Sequence, residues 1–329
     1  MKFKVFIDGA EGTTGLKIHE YFQKRQDLHV LQIDPARRKD PEARLAMMKQ
    51  ADVSFLCLPD AAAKEICAAA PADCRLIDTS TAHRVCKGWT YGFPELRISA
   101  AGSQKGSRKQ RDQIREASRV ANPGCHATGV IALLRPLVQN GFLPPAARVN
   151  AVSLTGYSGG GKKMIAAYED PARKAGDPGG GQDPLDLRKS PGQYGLTQNH
   201  KHIPEIMQMT GLTIKPSFMP IVADYYSGME VTVPLSGEAL QGKGQLLREL
   251  YRDYYAAEPL VQVTEEDAPA GFIYANRLAG TNRLEISVRG DEDNILLTAT
   301  FDNLGKGASG AAVQNMNIML GIEETKGLI

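Results

Sequence analysis

The first apolar run, Val5-Phe6-Ile7 within Lys2–Asp8, is followed by glycines and then by Thr14–Lys24, where Leu16, Ile18, Tyr21 and Phe22 fall at helical spacing. This pattern predicts a strand, a glycine turn and a helix. Leu28–Asp34 reads as a second strand closing on an acid, Pro41–Gln50 as a helix, and Val53–Leu58 as a fully apolar strand that stops at Pro59-Asp60. Ala61–Ala70 is Ala-rich and helical, Arg75–Asp78 is a short strand, and another strand precedes Asn122-Pro123. Repeated β-α units with apolar strands predict an α/β fold, a doubly wound parallel sheet with right-handed crossovers.

The texture changes after Cys125. Val149–Thr155, Met229–Pro234, Gly271–Ala275, Arg283–Arg289 and Asn294–Asp302 read as strands, with one helix, Gly242–Tyr255, among them. They predict a second, α+β domain on a mixed or antiparallel sheet. Gly176–Gly195 is a long segment rich in Gly, Pro and Asp, expected to be a functional flap. Ser309–Leu320 reads as a closing helix with one apolar stripe through Val313, Met316, Asn317 and Leu320.

Composition narrows the function. A chain of 329 residues makes one large or two ordinary domains. Its 39 Lys+Arg against 37 Asp+Glu select neither nucleic acid nor an anionic membrane as partner. The basic stretch Lys105–Arg119 is interleaved with Asp112 and Glu116 and lacks aromatics, the mark of a solvated helix face. Gly129–Val138 is broken by Arg135 and Pro136 and falls short of the ~18 apolar residues of a membrane span. Five cysteines without a CxxC pair, behind an N-terminus that runs directly into a strand, point to a reducing, cytoplasmic setting.

Candidate chemistry begins at Gly9-Ala10-Glu11-Gly12-Thr13-Thr14-Gly15, between a strand and a helix. Bare backbone and a helix N-terminus there suit a dinucleotide pyrophosphate, with Thr13 and Thr14 adding hydroxyls. Asp34 stands where an acid pairs the ribose of NAD, but Arg37-Arg38-Lys39 follows and favours the 2′-phosphate of NADP. In Asn122-Pro123-Gly124-Cys125-His126, the thiol of Cys125 opens a helical stretch (Ala127–Leu134), where the dipole lowers a thiol pKa and free N–H groups hold an oxyanion. Asn199-His200-Lys201-His202-Ile203-Pro204-Glu205 offers an imidazole acid/base; no second cluster completes a metal site, so no metal is expected. Ser153–Lys163 is a glycine-rich nest ending in Lys162-Lys163, and it fails the P-loop pattern because Lys163 stands where Ser or Thr is needed. Asp302–Gly307 precedes the last helix and could return Asn303 to the cofactor.

Together with Ser80-Thr81-Ala82-His83-Arg84, Tyr91-Gly92-Phe93-Pro94-Glu95-Leu96 and Lys306-Gly307-Ala308, these motifs resemble the shorter form of the N-acetyl-gamma-glutamyl-phosphate reductase family along nearly the whole chain. One position departs: the family usually carries an aromatic after the nucleophilic cysteine, where this chain has His126. The resemblance implies a Rossmann-type cofactor domain, 1–124 rejoined by 305–329, and a catalytic and oligomerisation domain, 125–304. It implies NADPH-dependent reduction of a small acyl phosphate through a thioester on Cys125, with His200 as acid/base, in arginine biosynthesis. His202, Glu205, Arg84, Ser158 and Lys162 are then substrate-binding candidates. Gly9, Gly12, Thr13, Thr14, Gly15, Arg37, Arg38, Ser80 and Asn303 are the cofactor candidates, and a homo-oligomer, dimer or tetramer, is expected. The competing readings are the sister reductases acting on aspartyl phosphate or on a carrier-linked lysine precursor, and a non-catalytic dinucleotide sensor.

Overall fold

A computed structural model describes residues 2–98, 109–170, 188–264 and 271–329. Within these, the chain divides into two compact units, one holding residues up to 124 together with 308–329 and the other holding 125–307.

In the first unit, β1 (Phe3–Asp8), β2 (Leu28–Leu31), β3 (Val53–Leu56), β4 (Leu76–Asp78), β5 (Thr90–Tyr91) and β6 (Arg119–Ala121) form a wholly parallel sheet in the order β2-β1-β3-β4-β6-β5. Crossovers are made by α1 (Thr13–Phe22), α2 (Pro41–Gln50), α3 (Asp60–Ala69) and α4 (Gln110–Glu116). β3 is buried along its entire length, which is why it reads as a continuous apolar run rather than an alternating one. The expected parallel α/β sheet is therefore present. The second strand is shorter than its apolar pattern suggested: Asp34 lies beyond β2, where its carboxylate accepts the Ala36 N–H at 2.9 Å and caps a short turn at Pro35–Arg37.

The second unit opens with α5 (Cys125–Gln139) and carries β7 (Asn150–Gly156), α6 (Gly161–Glu169), β8 (Gly192–Gln193), α7 (Ile203–Thr210), β9 (Ser217–Ala223), β10 (Met229–Ser236), α8 (Leu247–Tyr254), β11 (Val261–Val263), β12 (Leu284–Gly290) and β13 (Asn294–Phe301). Its sheet is mixed, in the order β11-β12-β13-β10-β7-β9-β8, with β7·β9 and β11·β12 parallel. α5 packs closely on it, since a Cβ on Gly129 would come within 2.5 Å of Val231 on β10.

Three expectations are corrected here. Gly271–Ala275 forms no strand, and its Phe272 and Tyr274 stack on each other while exposed. The second unit carries α6 and α7 besides the two helical stretches, Ala127–Leu134 and Gly242–Tyr255, that the sequence predicted. The closing helix, α9 (Gly310–Met319), has no single apolar stripe because all of its residues are buried. Its polar side chains bond inside the first unit: Gln314 donates to Glu95 at 2.8 Å and Asn315 Nδ2 donates to the Gly92 carbonyl at 2.9 Å. No helix among the described residues is long and apolar enough to cross a membrane.

Candidate active site

Cys125 is the first residue of α5 and is partly exposed. The first-turn N–H groups of a helix have no intrahelical acceptor, so a thiolate or an oxyanion placed there meets free donors and the positive end of the dipole. Gly307 lies against Cys125, where a Cβ would come within 3.0 Å of the Cys125 Cβ. The sequence placed the helix start two residues too late, at Ala127. The thiols of Cys57 and Cys67 are pushed up to about 12 by burial, so neither is a nucleophile at neutral pH.

Behind Cys125, the imidazole of His126 is buried at the centre of a ring cluster. Its centroid lies 5.6 Å from His200, 5.7 Å from His202 and 5.5 Å from Phe218. Nδ1 meets Ser153 Oγ at 2.7 Å and Nε2 meets the Tyr194 hydroxyl at 2.7 Å. Burial first, then the neighbouring His200 and Lys201 charges, pull its pKa down to about 3, so the ring is neutral in use. His200, half-buried, is drawn down to about 4 by burial and by Lys201. Its Nδ1 accepts the backbone N–H of His202 at 3.2 Å, which leaves the proton of the neutral ring on Nε2.

The loop that carries His200 is fixed to β9 by paired contacts. Tyr194 donates its N–H to the Pro220 carbonyl at 3.0 Å, and Gln198 exchanges two 2.8 Å hydrogen bonds with the backbone of Phe218. Gln198 takes a positive φ of 56° to do so. His202 immediately precedes α7 and Glu205 lies in its first turn, both buried. Cys125, His200, His202 and Glu205 are thus all contributed by the second unit, by the start of α5, the loop that leads into α7 and the first turn of α7. Sequence reading did not assign His126 a role, nor Tyr194. The available signals were a histidine where an aromatic is usual and a tyrosine beside the histidine segment.

Ser158 and Asn303 are joined in the same unit: Asn303 Nδ2 donates to Ser158 Oγ at 2.9 Å, and Asn303 Oδ1 accepts the Gly228 N–H at 2.9 Å. Both are buried, while Lys162 and Lys163 are exposed in the first turn of α6.

In the first unit, Gly9 has φ of +83° and a Cβ there would strike the Cys57 carbonyl at 2.3 Å; one on Gly15 would strike the Gly9 carbonyl at 2.6 Å. These two glycines are required by the turn itself. A Cβ on Gly12 would meet nothing closer than 3.4 Å, so that position is bare for another reason. Thr13 and Thr14 open α1, whose N-terminus follows the glycine turn directly. Arg38 forms an ion pair with Glu11 of the glycine turn, which brings its guanidinium to that turn, and Arg37 pairs with Asp40 at 2.7 Å. Ser80 is buried and donates to Asp78 at 2.8 Å; His83 meets the same carboxylate at 2.6 Å and stacks on Trp89. Arg84 is buried and donates to the carbonyls of Asn122 at 2.9 Å and Thr79 at 3.2 Å, bracing the segment that leads to Cys125. Of the loop Gly176–Gly195, residues 176–187 lie outside the described residues, as do Lys105–Arg108 of the basic stretch.

Known proteins resemble the chain in sequence and fold. Residues 4–103 match the semialdehyde dehydrogenase NAD binding domain, and residues 125–303 match the semialdehyde dehydrogenase dimerisation domain. The chain is 43% identical to an N-acetyl-gamma-glutamyl-phosphate reductase of Brucella anthropi, over 98% of this chain and 99% of the relative. It is 42% identical to N-acetyl-gamma-glutamyl-phosphate reductase 2 of Pseudomonas putida, over 98% of each. The fold is also that of aspartate semialdehyde dehydrogenase II from Vibrio cholerae, solved with ASA (TM-score 0.65, 14% identity, 98% of this chain and 99% of that one). The Candida albicans aspartate semialdehyde dehydrogenase solved with NADP shares it too (TM-score 0.58, 14% identity, 97% and 98%).

Proposed function

The chain belongs to the N-acetyl-gamma-glutamyl-phosphate reductase family, and from that premise we propose that it reduces N-acetyl-gamma-glutamyl phosphate to the 5-semialdehyde with release of phosphate, in arginine biosynthesis. The observation that carries the reading is Cys125 at the head of α5 in the same unit as two histidines whose rings pack together, His200 and His202, centroids 4.8 Å apart.

The residues fit a nicotinamide dinucleotide, because Gly12 is bare without any need of the turn, at the N-terminus of α1. Gly9, Gly12, Thr13, Thr14 and Gly15 would hold its pyrophosphate. Arg38, beside the turn, and Arg37 would face a 2′-phosphate, and the capped Asp34 carboxylate is engaged with its own backbone, which supports NADP over NAD. Bound there, NADPH supplies the hydride.

The Cys125 thiolate attacks the acyl-phosphate carbonyl; the tetrahedral oxyanion is held by the free N–H groups of the α5 first turn, and expulsion of phosphate leaves a thioester on Cys125. The oxyanion left when that thioester is reduced would accept a hydrogen bond from His200 Nε2–H, and its collapse expels the Cys125 thiolate and releases the aldehyde with no net proton transfer. His202, Glu205, Ser158 and Lys162 are proposed to bind substrate, Ser80 and Asn303 to line the cofactor, and Arg84 to act on substrate from its braced position or through the backbone it holds. The second unit, matching a dimerisation domain, supports a homo-oligomer, which we propose is a dimer or tetramer in the cytoplasm.

The experiment is the reverse reaction: purified protein, NADP, phosphate and N-acetyl-glutamate semialdehyde, with aspartate semialdehyde as the alternative. Phosphate-dependent NADPH formation with the acetylated aldehyde alone is expected. Formation with aspartate semialdehyde alone would move the substrate, and none with either would overturn the reading.

A further inference from the structure

The network around His126 has a direction. A neutral imidazole carries one N–H, so of its two 2.7 Å contacts, to Ser153 Oγ and to the Tyr194 hydroxyl, it donates in one and accepts in the other. If Nδ1 carried the proton, Ser153 would accept it and its own hydroxyl proton would need a further acceptor. Ser153 is fully buried on β7, and among the described residues its hydroxyl has no partner besides His126. A buried donor without an acceptor costs about 1–3 kcal/mol. With the proton on Nε2, Ser153 donates to Nδ1, Nε2–H donates to the Tyr194 oxygen, and every buried group is satisfied. The hydrogen left over is that of the Tyr194 phenol, at the half-exposed end of the chain.

That phenol senses the charge of Cys125, and its imidazole partner is the next residue in the chain. Burial first, then the charge of the Cys125 thiolate, holds the phenol pKa well above the usual tyrosine range, so it stays protonated. Its ring also packs on His200, with centroids 5.8 Å apart. We propose that His126 is a positioning residue, locked as the Nε2–H tautomer by Ser153, which turns the Tyr194 O–H away from itself and toward the reacting centre at Cys125. Tyr194 thereby becomes a donor to the thiolate and to the developing oxyanion, in addition to the α5 amides and His200.

The proposal rests on the reductase reading, and its test has one arm that does not. In the full-length protein, kcat and KM of the reverse reaction and the pH dependence of Cys125 alkylation by iodoacetamide, read on the Cys125 peptide by mass spectrometry, are measured for Tyr194→Phe, His126→Phe, His126→Gln, His126→Asn and the double variant His126→Phe/Tyr194→Phe. Loss of the phenolic donor is expected to lower kcat about tenfold or more with little change in KM. The double variant is expected to be no worse than Tyr194→Phe, and the alkylation midpoint to move to higher pH by the same amount in both single Phe variants. His126→Gln, whose amide reaches the Nε2 position, is expected to retain more kcat than His126→Asn, whose amide reaches only the Nδ1 position. Multiplicative losses in the double variant, equal losses in Gln and Asn, or an alkylation profile unchanged by Tyr194→Phe would overturn the proposal. Should His126→Phe not fold, Tyr194→Phe and the Gln and Asn variants decide. Absence of turnover in the unmodified protein would overturn the reductase reading while the alkylation profiles still decide the role of His126.

Discussion

At the scale of single residues, the site separates thiols by environment. Cys125 opens a helix, whereas burial pushes Cys57 and Cys67 up to about 12. Cys125→Ser is therefore expected to lower turnover by at least about a thousandfold while NADPH binding, followed by fluorescence titration, stays within twofold. Comparable turnover in the two proteins would remove the nucleophile from the account. The histidines make a second prediction. His126 and His200 have folded-state pKa values lowered to about 3 and about 4 from 6.5, so below 6.5 the unfolded chain binds protons that the folded chain refuses. Stability from these groups is complete above about pH 6.5 and falls as pH drops toward 3. The melting temperature is expected to fall over that range and to fall less in His126→Phe; an equally steep decline would show that other groups govern it.

At the scale of elements, the glycine turn separates positions the backbone requires from one it does not. Gly9→Ala is expected to cost about 3 kcal/mol in urea unfolding, because φ is +83° and the Cys57 carbonyl lies 2.3 Å from the new Cβ. Gly12→Ala has room in the fold, so it is expected to leave stability within about 1 kcal/mol and to raise KM for NADPH. If both variants behave alike, Gly12 has no ligand to make room for. Replacing Arg37 and Arg38 together by serine is expected to reduce the NADP/NAD ratio of kcat/KM at least tenfold; an unchanged ratio would contradict the assignment of the 2′-phosphate.

The elements also show what was legible in the sequence. The β-α units of the first unit were readable because fully buried strands such as β3 leave unbroken apolar runs and the glycine turn punctuates them. β9 was missed because Pro220 interrupts its pattern. Pro220 is tolerated there since its missing N–H points to the side of β8, a strand of only two residues. Gly271–Ala275 was misread because Phe272 and Tyr274 have strand-like composition, yet they stack on each other at the surface. Cys125 and the His200–Glu205 segment stood out as sequence-local motifs. The Ser153–His126–Tyr194 chain did not, because it joins three segments that only the β7–β9 pairing brings together.

At the scale of the molecule, the last residues complete the first unit. Arg25 donates to Asp27 at 2.8 Å, to Asn317 at 3.1 Å and to the Lys326 carbonyl at 2.7 Å; Arg75 donates to the Met319 carbonyl at 2.5 Å and Arg111 to Glu324 at 3.0 Å. The guanidinium of Arg25 holds the Asp27 carboxyl well below the usual carboxylate range. Arg25→Ala strands buried acceptors on the C-terminal segment and is expected to cost about 2–3 kcal/mol in urea unfolding; a loss below about 0.5 kcal/mol would show the closing segment to be held by packing alone. This burial from every side is why α9 shows no single apolar stripe despite being a core helix.

The central claim is that catalysis passes through an acyl group on Cys125. The direct test is to mix the protein with N-acetyl-gamma-glutamyl phosphate in the absence of NADPH, quench in acid and measure intact and peptide mass. One N-acetylglutamyl group on the Cys125 peptide, absent in Cys125→Ser and discharged to the semialdehyde on adding NADPH, is the predicted result. Steady turnover of the same preparation with no adduct on Cys125, or with turnover retained in Cys125→Ser, would contradict the account.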